Sequence, residues 1–166
     1  MKVSDVMCRP VSVCAGETSL ASAAQLMGES DCGVLPVLQS GRLVGILTDR
    51  DVCLAVGTQW HSGATPVAEV MNADVYTCKV TDEIRSAMDT MARRRVRRLP
   101  VLDDQGALRG ILTMDDLILR AEESDRQGLS VPVSCRDVVQ TLQHICGSRR
   151  MRPEAAAASP SLSPEL

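Results

Sequence analysis

Apolar residues along this chain follow two periods, and the periods alternate in a fixed order. Val11 to Val13 reads as a short strand. From Thr18 or Ser19, Leu20, Ala23, Ala24 and Met27 fall at helical spacing. Two short apolar runs follow, Val34 to Leu38 and Leu43 to Leu47. Gln39-Ser40-Gly41-Arg42 joins them, which predicts a hairpin. A helix over Asp49 to Val56 closes the series. The same order then returns. Ile84, Ala87, Met88 and Met91 mark a helix. Arg98 to Leu102 and Leu108 to Leu112 are joined through Asp103-Asp104-Gln105-Gly106, and Met114 to Glu123 forms a closing helix.

The return is a sequence repeat as well as a pattern. Val3-Ser4-Asp5-Val6-Met7 matches Val67-Ala68-Glu69-Val70-Met71, and Leu35-Pro36-Val37 matches Leu99-Pro100-Val101, both 64 residues apart. Gly45-Ile46-Leu47-Thr48 matches Gly110-Ile111-Leu112-Thr113, 65 residues apart. The one-residue slip falls in the hairpin turn, where insertion is tolerated. Each copy therefore reads as a short lead-in helix, then strand, helix, strand, strand, helix. The expected boundaries are residues 1–60 for the first copy with its linker and 64–124 for the second, the linker running over 57–66. Copies of about 60 residues would be marginal alone and gain by sharing a core.

The closing helices depart from the ordinary surface pattern. Val52-Cys53-Leu54-Ala55-Val56 is apolar on every side, and Leu117-Ile118-Leu119 nearly repeats this. A surface helix carries one apolar stripe. A helix apolar all round is covered on two sides, so a homodimer is expected. Past the second copy, Ser124 to Pro132 is polar and irregular. Ser134 to Cys146 then reads as an extra amphipathic helix within 134–147. Ser134 caps it with Asp137 as the reciprocal partner, its face is Val138, Val139, Leu142, Ile145 and Cys146, and Gly147 ends it. Residues 152–166, rich in Ala, Ser and Pro, are expected to be disordered.

Composition narrows the function. The chain has 166 residues and a net charge of -3, with 45% hydrophobic but only 1% aromatic residues. That balance lacks the basic surface and the stacking rings of a nucleic-acid binder. The run Arg93-Arg94-Arg95 closes a helix, where cations suit the dipole, and reads as a solvated end. No apolar run reaches the roughly 20 residues of a membrane helix, and the start lacks a signal-peptide pattern, so a cytoplasmic location without membrane attachment is expected. The seven cysteines form no Cys-x-x-Cys pair, so neither a disulfide framework nor a zinc site is expected. Cys14 and Cys78 hold equivalent positions; matching small core residues is the reading preferred to a redox pair. His61 and His144 have no companion histidine.

The repeated Gly-Ile-Leu-Thr-x-x-Asp carries the candidate chemistry. Thr48 and Thr113 sit where a strand runs into a helix. Unpaired N–H groups and the helix dipole there favour a phosphate. Asp51 and Asp116, one turn on, could accept hydrogen bonds from ribose hydroxyls. The same residues also spell a capping box, so clamp and cap both stand.

Together, Asp5-Val6-Met7 and Glu69-Val70-Met71, the two Leu-Pro-Val strands and the two Gly-Ile-Leu-Thr-x-x-Asp endings resemble a tandem pair of CBS domains, a Bateman module, over about residues 1 to 123. The resemblance implies an α/β (α+β) fold in which two strand-helix-strand-strand-helix units pack sheet to sheet with pseudo-two-fold symmetry. It implies two clefts for an adenosine-containing ligand: AMP, ADP, ATP, S-adenosylmethionine or an NAD-type molecule, AMP or ATP foremost, with no covalent cofactor. Thr48 and Asp51 would serve the first cleft, Thr113 and Asp116 the second. Arg97-Arg98-Leu99-Pro100 resembles the His-Arg-Leu-Pro stretch in the gamma subunit of AMP-activated protein kinase, where the Arg faces phosphates. Arg98 is thereby assigned to the second cleft. Val34 takes its place in the first copy, so the second cleft should prefer phosphate-bearing ligands, while the first is weaker or takes an uncharged or differently placed group. With one Tyr, one Trp and no Phe in the chain, an adenine would lie between aliphatic side chains.

The function implied is a regulatory ligand-binding module that signals to a separate effector protein. The alternative is a dimerisation scaffold that binds no nucleotide. No nucleophile-base pair, metal set or P-loop is legible, so catalysis is not expected.

Overall fold

A computed structural model describes residues 1–122 and 132–147. The first repeat contains β1 (Cys14–Ala15), α1 (Leu20–Glu29), β2 (Val34–Gln39), β3 (Arg42–Thr48) and α2 (Asp49–Thr58). The second contains β4 (Cys78–Lys79), α3 (Ile84–Arg94), β5 (Arg98–Leu102), β6 (Leu108–Thr113) and α4 (Met114–Arg120). A last helix, α5 (Cys135–Gly147), follows. The α/β class and the two-repeat order are those expected. Each repeat makes one three-stranded sheet, β1-β2-β3 or β4-β5-β6, with a parallel then an antiparallel pairing. Each hairpin turns through a glycine with positive φ, Gly41 at 76° and Gly106 at 80°. The tail at 152–166 and most of Ser124 to Pro132 lie outside the described residues.

Several local expectations are corrected. The first strand is Cys14–Ala15 and not Val11 to Val13, because only Cys14 and Ala15 pair with Val37 and Leu38. The preceding residues are still crossing over from the other repeat, and Val13 is exposed. Ala24 is exposed, so the face of α1 is Leu20, Ala23 and Met27. Helix α4 ends at Arg120, short of Glu123. Val139 is 52% exposed while Thr141 is buried, so α5 is rotated from its expected face.

Both lead-ins, Val3–Asp5 and Val67–Glu69, form single 3-10 turns. Each packs on the other repeat. Val3, Val6 and Met7 join the core of Cys78, Ile84, Met91, Leu99, Val101 and Leu112. Val67 joins Cys14, Leu20, Leu35, Val37 and Leu47. The exchange has a physical cause. β1 or β4 takes one side of the central strand, leaving β3 and β6 as bare edges. Cys8 exchanges hydrogen bonds of 2.9 and 3.2 Å with Ile111 on β6, and Asn72 exchanges two of 2.9 Å with Ile46 on β3. The lead-ins thus cover both edges and tie the repeats together.

The second repeat alone carries α5. Val138 and Ile145 enter its core beside Val133. Ser134 and Asp137 form the expected reciprocal cap, both bonds at 3.1 Å, and Asp137 pairs with Arg85 of α3 at 3.1 Å. No helix among the described residues is long and apolar enough to cross a membrane.

Candidate functional site

The two strand-to-helix junctions have the same geometry. Thr48 and Thr113 are extended, with φ of -115° and -120°, and end β3 and β6. Their hydroxyls accept from the N–H groups of Asp51 and Asp116, at 3.2 Å in both cases. The carboxylates reach back. Asp51 Oδ2 accepts from Thr48 N–H at 2.9 Å and from the Thr48 hydroxyl at 2.6 Å. Asp116 Oδ2 accepts from Thr113 N–H at 2.8 Å and from its hydroxyl at 2.7 Å. Both motifs are therefore capping boxes.

The cap uses half of each carboxylate. Oδ2 takes both bonds, while Oδ1 of Asp51 and of Asp116 accepts none among the described residues. All four side chains are half-buried. Each junction thus presents one fixed, ionisable oxygen with open lone pairs, held in place by the cap. A pair of vicinal hydroxyls is a fitting donor for it.

Arg98 lies where the two repeats meet. It begins β5 in the second repeat, but its guanidinium crosses to the first. A Cβ built on Gly33 would lie 3.5 Å from Arg98 Nη2 and 2.9 Å from Asp49 Oδ2. Gly33 thus holds open a gap between the Arg98 guanidinium and the start of α2. Arg98 is half-buried and enters no hydrogen bond or ion pair among the described residues. Its counterpart Val34 is buried, at 6% exposed. Sequence reasoning passed over Gly33 and Asp49. The signal available was the Gly33-Arg97 mismatch in otherwise matching strand starts.

Two neighbouring clefts share Val75 and Thr77, and the first of them lies where the repeats meet. One, of about 310 Å³, is bounded by Arg42, Val44, Val75, Thr77, Leu102 and Gln105. The hairpins approach each other there, Arg42 bridging to Ala107. A neighbouring cleft of about 600 Å³ is lined by Tyr76, Thr77, Thr90, Arg93 and Arg94. The Arg94 guanidinium sits 4.7 Å from the Tyr76 ring centroid, and the Tyr76 hydroxyl donates to Asp74 Oδ2 at 3.0 Å. The only Tyr in the chain is therefore already stacked. Thr48, Asp51, Thr113 and Asp116 line neither of these clefts.

Cys14 and Cys78 lie in separate core clusters. Burial raises both thiol pKa values. That of Cys78 reaches about 12, with the nearby Asp82 charge adding to the burial. Neither is poised to react.

Comparisons with known proteins agree on one family. A model described as "CBS domain" matches residues 3–57 and 67–123. The CBS domain-containing protein YhcV of Bacillus subtilis is 34% identical over 126 residues, covering 76% of this chain and 89% of that protein. Inosine-5'-monophosphate dehydrogenase of Thermoplasma acidophilum is 31% identical over 120 residues, or 72% of this chain, but the match spans only 24% of that enzyme. The CBS domain pair of protein MJ0100, in complex with 5-methylthioadenosine and S-adenosyl-L-methionine, has a TM-score of 0.66 at 24% identity, covering 72% of this chain and 94% of that one. The CBS domain protein PAE2072 of Pyrobaculum aerophilum, complexed with AMP, has a TM-score of 0.64 at 24% identity, covering 70% and 90%.

Proposed function

The chain belongs to the CBS-domain family and carries two such domains in tandem; on that premise we propose that it senses an adenosine-containing ligand and signals to a separate effector protein. The observation that carries this reading is the paired junction geometry. Asp51 and Asp116 are each clamped by one oxygen and open at the other. An open oxygen suits a ribose. The Arg98 guanidinium, without an ion pair among the described residues, suits a phosphate, since its planar fork can hold two oxygens.

AMP or ATP is the ligand favoured among the adenosine class, because the Arg98 guanidinium enters no ion pair among the described residues. Arg98 makes the second cleft the phosphate-preferring one, since Val34 takes its place in the first repeat. The state of the clefts reaches the effector through differential affinity for two conformations. The module acts as a homodimer, which covers the exposed apolar residues of α2 and α4.

Thermal unfolding with AMP, ATP, S-adenosylmethionine and NADH tests the reading. A ligand at 100 times its Kd stabilises by about 2.7 kcal/mol, which moves the midpoint by several degrees. No shift with any of the four at millimolar concentration would leave the capping boxes as caps only and the chain as a scaffold.

A further inference from the structure

A groove of about 410 Å³ runs between α3 and α5, a volume of the size that small ligands occupy. The two helices lie parallel. Arg85 at the start of α3 meets Asp137 at the start of α5 at 3.1 Å, and Arg97, just past α3, donates to Cys146 Sγ near the end of α5 at 3.4 Å. Helix α5 lies beyond the residues matched to the CBS family, so this groove is separate from the strand-to-helix junctions and from Arg98.

Its floor departs from the usual burial of apolar groups alone. Thr141 of α5 lines the groove and is only 7% exposed. Apart from the capping residue Ser134, it is the one buried polar residue among those described. Its hydroxyl donates to the Asp137 carbonyl at 2.8 Å, which leaves the oxygen able to accept. Such departures gather at functional sites. The α3 wall departs too. Arg85, Asp89 and Arg93 are spaced four apart, and an acid four residues before a base favours a pair. That pair is not made. Arg85 turns to α5, and neither Asp89 nor Arg93 enters a hydrogen bond or ion pair among the described residues. A carboxylate and a guanidinium, one helical turn apart, thus stand open beside Met88 and Ala92.

We propose that this groove binds a free α-amino acid. The ligand ammonium donates to Asp89 and to the Thr141 hydroxyl, and the ligand carboxylate accepts from the fork of Arg93. The ligand side chain lies along Met88 and Ala92. Opposite charges side by side select a zwitterion, because an anion alone meets Asp89 and a cation alone meets Arg93. A compact zwitterion fits, since Cβ atoms one turn apart are about 5–6 Å from each other.

Thermal unfolding of the full chain with each proteinogenic amino acid, at millimolar concentration, tests this. The one that fits should raise the midpoint by several degrees. Its deaminated acid and its decarboxylated amine, each carrying half of the zwitterion, should not. Asp89→Asn and Thr141→Val should keep a cooperative transition and weaken the amino acid about tenfold or more by calorimetry. No shift with any amino acid would overturn the proposal. So would a shift that the half-ligands reproduce, or an affinity that neither variant changes.

Discussion

Met7, from the first repeat's lead-in, lies directly over Gly110 on the second repeat's outer strand: a Cβ there would fall 2.6 Å from the Met7 sulfur and 3.0 Å from the Cys8 carbonyl oxygen. Met71 covers Gly45 in the same way on the first repeat. The glycines leave room for the exchanged lead-ins that hold the two repeats together.

Gly110→Ala should therefore destabilise the fold by about 1–3 kcal/mol through overpacking. Gly57 is the control. It lies in α2 with nothing within 4 Å of a built Cβ. Gly57→Ala should stabilise by about 0.5–1 kcal/mol. Urea denaturation of both variants checks the pair, and equal effects would contradict the close approach.

The junction carboxylates can be tested apart from their caps. Asn at position 116 keeps an acceptor for the Thr113 N–H but removes the ionised oxygen. Asp116→Asn should leave the unfolding midpoint within a few degrees, while Thr113→Val should cost about 0.5–2 kcal/mol through the lost cap. If Asp116 binds ribose, the Asn variant should show a reduced thermal shift with AMP. Arg98→Ala should likewise keep its midpoint and lose about tenfold in AMP affinity, as a charge-assisted contact implies. Calorimetry showing unchanged affinity for Arg98→Ala would remove the phosphate role.

Helix α5 should respond to acid. Burial tends to raise the Asp137 pKa, but hydrogen bonds from Ser134 and the Arg85 guanidinium outweigh it and hold the carboxyl below its ordinary value. A depressed carboxylate stabilises above its unfolded value, and that contribution is lost as pH falls through the folded one. Asp137→Ala should then cost about 1 kcal/mol at pH 7 and much less near pH 3. A gap of the same size at both pH values would contradict the assignment.

The thiols should divide by burial. Cys8, Cys53 and Cys135 are exposed, whereas Cys14 and Cys78 are buried. Native labelling with a thiol reagent near pH 8 should modify Cys8 and Cys135 quickly. Cys53 should label in the monomer and slow on dimerisation. Cys14 and Cys78 should react only after unfolding, because burial disfavours their thiolates. Early labelling of Cys78, read by peptide mapping, would contradict this.

Much of the molecule was legible in one dimension. Period-two runs and glycine turns located both hairpins, since strand alternation and turn chemistry are local properties. The reciprocal partners Ser134-Asp137, Thr48-Asp51 and Thr113-Asp116 were legible because a capping box spans only three residues. Less local features were misread. The first strand was placed at Val11 to Val13 because apolar character alone does not reveal which residues find a pairing partner. Val139 was placed on the buried face of α5, where Thr141 lies instead, because packing against the core of the second repeat selects that face.

By itself, then, the sequence determined the repeat, its element order, the caps and the family, all written in short-range spacing and in the matching of the two copies. Only the tertiary structure decided that the lead-ins trade places, that the Arg98 guanidinium lies beside Gly33 of the other repeat, and that α5 thickens one repeat alone. These depend on which bare strand edge or open gap lies nearest once both sheets have formed, and distant parts of the chain meet there only after folding.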